Sequence, residues 1–310
     1  MEILNKDQLS SIDKRSVVSI GNFDGLHLGH QGIIELVNNI AKKELSKSVI
    51  VTFNPHPAEF FDPDIKNHSI DSIYQKTRLF EELGIDYLCI VDFDKSFSSM
   101  SADDFIREFV CNKMNPSNIV VGYDHCFGKD RLGSIDLLNQ YADELNYKVH
   151  SFGEMKINGK NVKSSIVREL IKDGDLMAAN QFLGRRFSVI GKVVSGEGLG
   201  KKLSFPTANI ELDNSAQLLP RDGVYHTAIL IGGDRVEYNS VCNIGFRPTL
   251  REENKVKTVE VHILSDKSFD IYGEDVELVF KERIRDEKKF NDKKELINQI
   301  NLDKEYCINN

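Results

Sequence analysis

The sequence predicts an α/β half built on a parallel sheet, followed by an all-β half that closes on a helix. Three observations carry this. In the first half, short β-branched or apolar runs alternate with stretches of helical period, the mark of βαβ units. After about Gly184, strand candidates follow one another closely, with Gly, Asp and Asn between them as in Gly232-Gly233-Asp234, which reads as an antiparallel barrel or sandwich. The chain has 310 residues. At roughly 100–200 residues per domain it has room for two separate cores.

Taken in order, Ser16–Ile20, Ser48–Phe53, Tyr87–Val91 and Asn118–Gly122 are runs that suit parallel strands buried on both faces. About Gly29–Lys43, Ile70–Leu83 and Ala102–Cys111 have the helical period between them. In such sheets ligands sit beyond the carboxyl ends of the strands. The second half offers Phe187–Val194, Thr207–Leu212, Val224–Ile231, Val236–Cys242, Val256–Leu264 and Val276–Phe280 as strands, and Lys293–Ile300 as a closing helix. A linker is expected near Gly184-Arg185-Arg186, dividing the chain into 1–184 and 185–310. No internal repeat and no low-complexity segment interrupts this order.

Bulk composition excludes several classes. A net charge of −8 does not favour nucleic acid or an anionic membrane surface as a partner, so an anionic substrate would be met by local cations and backbone N–H groups. Cys89, Cys111, Cys126, Cys242 and Cys307 are scattered and form no CxxC pair, which argues against a disulfide framework or zinc site and fits a reducing, cytoplasmic compartment. The first residues, MEILNKDQLSSIDKR, lack the apolar core of a signal peptide, and no run approaches the ~20 apolar residues of a membrane span.

The segment Gly21-Asn22-Phe23-Asp24-Gly25-Leu26-His27-Leu28-Gly29-His30 follows the first strand and opens the first helix. Its glycines allow close backbone approach to a phosphate, and a helix N-terminus adds free N–H groups and partial positive charge. His27 and His30, three apart, share a helix face and can donate hydrogen bonds to phosphate oxygens and to charge developing in a transition state. Further on, His56 stands between Pro55 and Pro57 on stiff backbone, Asp124 can accept from a ribose or ring nitrogen, and Ser164 and Ser165 suit a helix N-cap beside Arg168.

The decapeptide resembles the nucleotidylyltransferase signature in the GxFDGxHxGH form of the prokaryotic bifunctional riboflavin kinase/FMN adenylyltransferase (FAD synthetase) family. Thr52-Phe53-Asn54-Pro55-His56-Pro57 resembles its TFxPHP segment, Val121–Gly133 its VGxDFxFGxxRxG segment, and Ser164–Arg168 its SSTxIR segment. Three positions depart from that pattern: His125 for Phe, Lys163 for Ser and Ser165 for Thr. The resemblance implies a Rossmann-like nucleotidylyltransferase domain that moves AMP from ATP to the phosphate of FMN. Gly21, Asn22, Phe23, Gly25, Gly29, Ser164, Ser165 and Arg168 would then bind ATP, His56, Pro57, Asp124, Phe127 and Arg131 would bind FMN, and His27 and His30 would be catalytic.

In the second half, Gly191–Gly196 and Gly200–Asn209 resemble the riboflavin kinase pattern GxVxxG…GRxLGFPTAN, with Lys201 for Arg and Ser204 for Gly. Cys242–Thr249 resembles its NIGxRPT loop, Val259–His262 its VExH strand, Phe269–Gly273 its DlYG turn and Arg285–Phe290 its RxExKF end. Thr207 and Asn209, two apart on an expected strand, present hard oxygens to one face and suit Mg²⁺. The resemblance implies a six-stranded kinase barrel in which Glu260 is the general base. Gly191, Gly196, Gly200, Lys201, Asn243 and Arg247 would bind ATP there, and Arg285 and Glu287 the flavin. His262 shares a face with Glu260 but reads as structural. For Arg247, Arg283 and Arg285 a surface ion pair competes with a phosphate role.

The expected whole is an enzyme that makes FMN from riboflavin and FAD from FMN with ATP and Mg²⁺, as a monomer or weak homo-oligomer. The alternatives are that only one domain is active, or that the chain is a non-catalytic flavin-binding regulator.

Overall fold

The structure, a computed structural model, describes residues 1–9, 12, 14–65, 68–195, 205–214, 216–233, 236–247, 256–265 and 270–310. The chain forms two units, Met1–Ile65 with Ile73–Ser164, and Lys66–Ser72 with Ser165–Asn310.

In the first unit six strands pair into one sheet: β1 (Glu2–Leu4), β2 (Ser16–Ile20), β3 (Lys47–Asn54), β4 (Tyr87–Asp92), β5 (Pro116–Gly122) and β6 (Lys148–Phe152), in the order β1-β4-β3-β2-β5-β6. Every pairing is parallel. The reason lies in β2, which is buried at each position. Successive side chains face opposite sides. Val18 and Ile20 therefore join Val49, Val51 and Phe53 in one apolar cluster, while Val17 joins Ile50, Leu88 and Val120 in the other. Helix α1 (Leu28–Glu44) covers the second cluster with Ile33, Ile34, Val37 and Ala41, its apolar stripe at helical spacing.

The other face is covered by the helical stretch 102–114, expected as an α-helix to Cys111. It is wound as a π-helix over Phe105–Cys111. The wider turn lines up residues about four apart, so Phe105 with Phe109 and Ile106 with Val110 all reach the core. Helix α2 (Pro57–Phe61) follows β3, and α3 (Ile73–Glu82) starts three residues later than the period from Ile70 suggests. The chain lays β3 and β4 on one side of β2, then returns to place β5 on its other side. That reversal opens a crevice at the carboxyl ends of β2 and β5. A small hairpin, β7 (Lys156–Ile157) and β8 (Lys160–Asn161), precedes the helix Ser164–Asp173.

The second unit holds β9 (Ser188–Val194), β10 (Ala208–Leu212), β11 (Gly223–Ile231), β12 (Tyr238–Arg247), β13 (Val256–Ile263) and β14 (Asp275–Arg285). They form a closed barrel in the order β10-β13-β12-β11-β14-β9, antiparallel throughout. The β9–β10 ladder closes it, which decides for a barrel over a sandwich. Phe187 stacks on Phe280 at 5.7 Å and Tyr225 meets Phe280 edge-on at 5.5 Å inside. Two strands outrun their apolar signal. β12 continues through Asn243 to Arg247, so the stretch expected as the start of a loop is strand. β14 continues past Phe280 because its charges are met locally: Lys281 Nζ donates to Asn239 Oδ1 at 2.6 Å and Arg283 Nη2 to Asp222 O at 2.7 Å.

The last helix, Lys293–Asn309, is longer than the expected Lys293–Ile300. Asp292 caps it, accepting from Glu295 N at 2.8 Å. Arg285 holds it with a two-pronged pair to Asp303, Nε to Oδ1 at 3.0 Å and Nη2 to Oδ2 at 2.7 Å. Asp303 is 4% exposed and also accepts from Gln299 Nε2. Removing one partner of such a pair strands a buried charge. Asp303→Ala is expected to cost about 3–5 kcal/mol in denaturant unfolding of the barrel; a loss under about 1 kcal/mol would mark the pair as a solvated surface contact.

Candidate active sites

The loop between β2 and α1 is held at both ends. Gly21 N donates to Val51 O at 3.0 Å, and Asn22 O accepts from Thr52 Oγ1 at 3.1 Å and from Lys76 Nζ at 3.4 Å. Phe23 (φ 46°), Gly25 (φ 85°) and Leu26 (φ 36°) lie in the left-handed region, which curls the loop back before the helix begins. Glycine meets that requirement freely at Gly25, whereas at Phe23 and Leu26 the backbone is strained, a feature concentrated at functional sites. Burial of both side chains holds them there.

His27 is the N-cap of α1 and 5% exposed; its Nδ1 accepts from His30 N at 3.3 Å. The two rings stack at 3.7 Å, and Phe23 meets His30 edge-on at 5.2 Å. Burial, then the neighbouring His27 and Lys76, hold the His30 imidazole well below its ordinary pKa, so the ring is neutral at neutral pH. Its buried Nδ1 has no hydrogen-bond partner among the described residues. Gly29 lies in the first turn of α1 against the His27 ring. Ser164 is the first residue of its helix rather than the capping residue expected, and its hydroxyl donates to Asp24 O at 2.9 Å, tying that helix start to the loop.

Around this loop the structure sorts the remaining calls. His56 caps α2, its Nδ1 accepting from Ala58 N at 3.1 Å, with Pro57 as the first helical residue. Asp124 follows β5 and accepts from Lys163 Nζ at 3.1 Å, and the same ammonium lies 5.0 Å over the Tyr123 ring. Lys163, one of the departures from the family pattern, thus forms an ion pair with Asp124. Phe127 is 6% exposed and lies between Phe105 and His125, with ring centroids 4.9 and 5.7 Å away. Burial pushes His125 down to about 4. Arg131 is exposed on the following turn. Ser165 and Arg168 belong to the second unit, where Arg168 Nε donates to His68 O at 2.9 Å.

In the barrel, ladder register assembles the candidates. Asn209 on β10 pairs with Glu260 on β13, and Glu260 pairs with Asn243 on β12. Directly paired residues share a sheet face about 5 Å apart, so an amide, a carboxylate and a second amide form one row. Asn243 Nδ2 donates to Glu287 Oε1 at 3.2 Å. Gly245 makes room for that carboxylate, since a Cβ there would lie 2.0 Å from Glu287 Oε1. Gly245 stands in the NIGxRPT-like segment but was given no role of its own from sequence; Lys76 was not singled out at all, because a cation from a distant helix leaves no local pattern. Thr207 lies one residue before β10, not within it as expected. Gly191 sits in β9, where a Cβ would lie 2.2 Å from Glu211 O, so strand packing accounts for it. Arg285 is committed to Asp303. His262 Nδ1 lies 2.8 Å from Pro206 O, in keeping with its structural reading. The calls at Gly196, Gly200 and Lys201, and the side chain of Arg247, lie outside the described residues. No cluster of three or more His, Cys, Asp or Glu able to hold a metal occurs among the described residues.

A curled glycine loop at the switch point of a parallel sheet, joined to a closed barrel with a carboxylate between two amides, defines a two-domain, nucleotide-using transferase. The family described as FAD synthetase matches residues 9–166 and the riboflavin kinase family matches residues 183–309. The bifunctional riboflavin kinase/FMN adenylyltransferase of Buchnera aphidicola subsp. Schizaphis graminum is 34% identical over 296 residues, covering 95% of this chain and 94% of its own. Its namesake in Bacillus subtilis is 34% identical over 298 residues, covering 95% and 92%. A crystal structure from Streptococcus pneumoniae, named a macrolide-efflux protein, is 30% identical with a TM-score of 0.88, covering 100% of this chain and 99% of its own. No helix among the described residues is long and apolar enough to cross a membrane. The chain belongs to the bifunctional riboflavin kinase/FMN adenylyltransferase family.

His30 and His125 also set a pH dependence. Both fold with pKa values below the unfolded value of 6.5, so the unfolded chain binds more protons as pH falls. Stability of the first unit is therefore expected to decline as pH falls below about 6.5, the His125 part of the loss running down to about 4. Denaturant unfolding from pH 7 to 5 measures this, and His125→Phe should flatten the slope. An unchanged slope in that variant would show that His125 titrates normally.

Proposed function

We infer that the protein phosphorylates riboflavin to FMN in its barrel and adenylylates FMN to FAD in its α/β half, consuming ATP in each step. One observation carries this: each unit has its own polar cluster, the stacked histidines at the β2–α1 loop in one and the Asn209–Glu260–Asn243 row in the other. We assign the adenylyltransferase to 1–184 and the kinase to 185–310. Five free cysteines fit a cytoplasmic, reducing setting.

Adenylyl transfer is an in-line displacement: an oxygen of the FMN phosphate attacks the α-phosphorus of ATP and pyrophosphate leaves. It needs no protein nucleophile, only positioning and charge stabilisation. The curled loop from Gly21 to Gly29, with Ser164 tied to Asp24, forms the phosphate cradle. His27 is fixed by its capping role, and His30 offers a neutral imidazole beside it. His56, Pro57 and Asp124 stand just beyond the ends of β3 and β5, and we assign them to the second substrate, FMN. Phe127 backs that region from the core.

In the kinase step Glu260 takes the proton of the riboflavin 5′-hydroxyl as that oxygen attacks the γ-phosphorus. Asn209 and Asn243 flank it in the ladder, and Glu287 holds Asn243. The hard oxygens of Thr207 and of Asn209, the ladder partner of Glu260, fit Mg²⁺, which keeps few protein ligands and binds phosphates. When bound, Mg²⁺ neutralises phosphate charge. Arg285 contributes by holding the last helix.

The test is conversion of riboflavin with ATP and Mg²⁺, with flavins resolved by chromatography. His27→Ala combined with His30→Ala should stop at FMN. Glu260→Gln should slow FMN formation about 10²–10⁴-fold while still converting supplied FMN to FAD. Loss of that second conversion in a folded Glu260→Gln protein would overturn the two-site assignment.

A further inference from the structure

Lys76 is a lysine at 4% exposure on the inward face of α3. Lysine is almost never buried this far without a reason, since an apolar residue of similar length packs there without the cost of desolvating a charge. Its place in the helix shows what it does. Lys76 and Phe80 are one turn apart on the same face. Phe80 meets Phe23 edge-on at 5.6 Å, and the Lys76 ammonium reaches Asn22 O, so α3 grips two consecutive residues of the loop. Phe23 in turn packs on His30.

We propose that Lys76 is a positioning residue for adenylyl transfer: it pins the Asn22 peptide and keeps a fixed positive charge behind His30, so that this ring meets the nucleotide's phosphates as a neutral N–H donor. The proposal rests on the adenylyltransferase reading of the first unit. Its physical basis is competition between fields. A polyphosphate arriving beside an imidazole favours the imidazolium, so an unopposed ring would take up a proton with the nucleotide. Among the described residues the ionisable groups that act on His30 are His27, stacked on it, and Lys76 from α3; burial first, then both of these, opposes that proton. A neutral ring keeps its N–H where the fold sets it and needs no protonation change during turnover, as with a histidine held neutral to act as electrophile. Asn22 O accepts from both Lys76 and Thr52, so the loop entry is clamped from two elements.

The experiment uses the full chain labelled at histidine, with His30 followed by NMR from pH 4 to 8 in wild type, Lys76→Gln and Lys76→Arg. Gln keeps a donor for Asn22 O and loses the charge; Arg keeps the charge. In Lys76→Gln the His30 titration should shift to higher pH than in wild type, and calorimetry in two buffers should show proton uptake when ATP binds. FMN adenylylation should fall about tenfold or more in kcat, while riboflavin phosphorylation by the same preparation stays unchanged. Lys76→Arg should titrate like wild type and keep most of its activity. Identical His30 titration in wild type and Lys76→Gln overturns the proposal, as does equal loss of activity in the Gln and Arg variants. If Lys76→Gln unfolds the first unit, Lys76→Arg decides: a folded Arg variant with a raised His30 titration also overturns it. A wild type that shows the coupling yet never converts FMN to FAD would sink the adenylyltransferase reading and leave the Lys76–His30 coupling supported.

Discussion

The burial of β2 governs the first unit. A strand with no solvent-facing residue has to be covered on both sides, and its polar chemistry is driven to its ends. At the carboxyl end the chain turns through Gly21–Leu26 and starts α1, whose own N-terminus brings unsatisfied N–H groups and partial positive charge. His27 satisfies one of those N–H groups from within the loop. The same residue thus terminates the loop, starts the helix and supports the His30 ring. With β5 laid on the far side of β2, the segment after β5 is delivered to the same end of the sheet, carrying Asp124 toward Lys163.

The barrel solves a different problem. Its candidate residues are far apart in sequence, and antiparallel register brings them into a row. Register is set by which face each residue must take: Val259 and Val261 are buried, so Glu260 between them faces the other way, as do its partners Asn209 and Asn243. The last helix is tied to the barrel at two points. Arg285 at the end of β14 and Asn239 on β12 both bind it, through Asp303 and the Cys307 carbonyl.

Much of this was legible in the sequence where the signal was local. The apolar runs located β2 to β5, the alternation implied parallel pairing, and the decapeptide from Gly21 to His30 marked the loop. Weaker signals misled in identifiable ways. β6 escaped because an edge strand reading Lys148-Val149-His150-Ser151-Phe152 has no apolar run. The π-winding of Phe105–Cys111 follows from how four side chains fit the sheet, not from their order. β12 and β14 run on through polar residues because partners elsewhere in the unit satisfy them. Ser164, which suits an N-cap, instead spends its hydroxyl on Asp24 O, a partner distant in the chain.

The sequence by itself determined the class of the protein, its two halves in order, and the candidate residues of each proposed site, since these follow from short-range periodicity, turn chemistry and contiguous motifs. Only the tertiary structure decided which groups meet: the stacking of His27 on His30, the row through Glu260, the burial of Lys76 behind the loop, and the commitment of Arg285 to Asp303. Those are distances between elements set by packing and register, and a linear pattern carries neither.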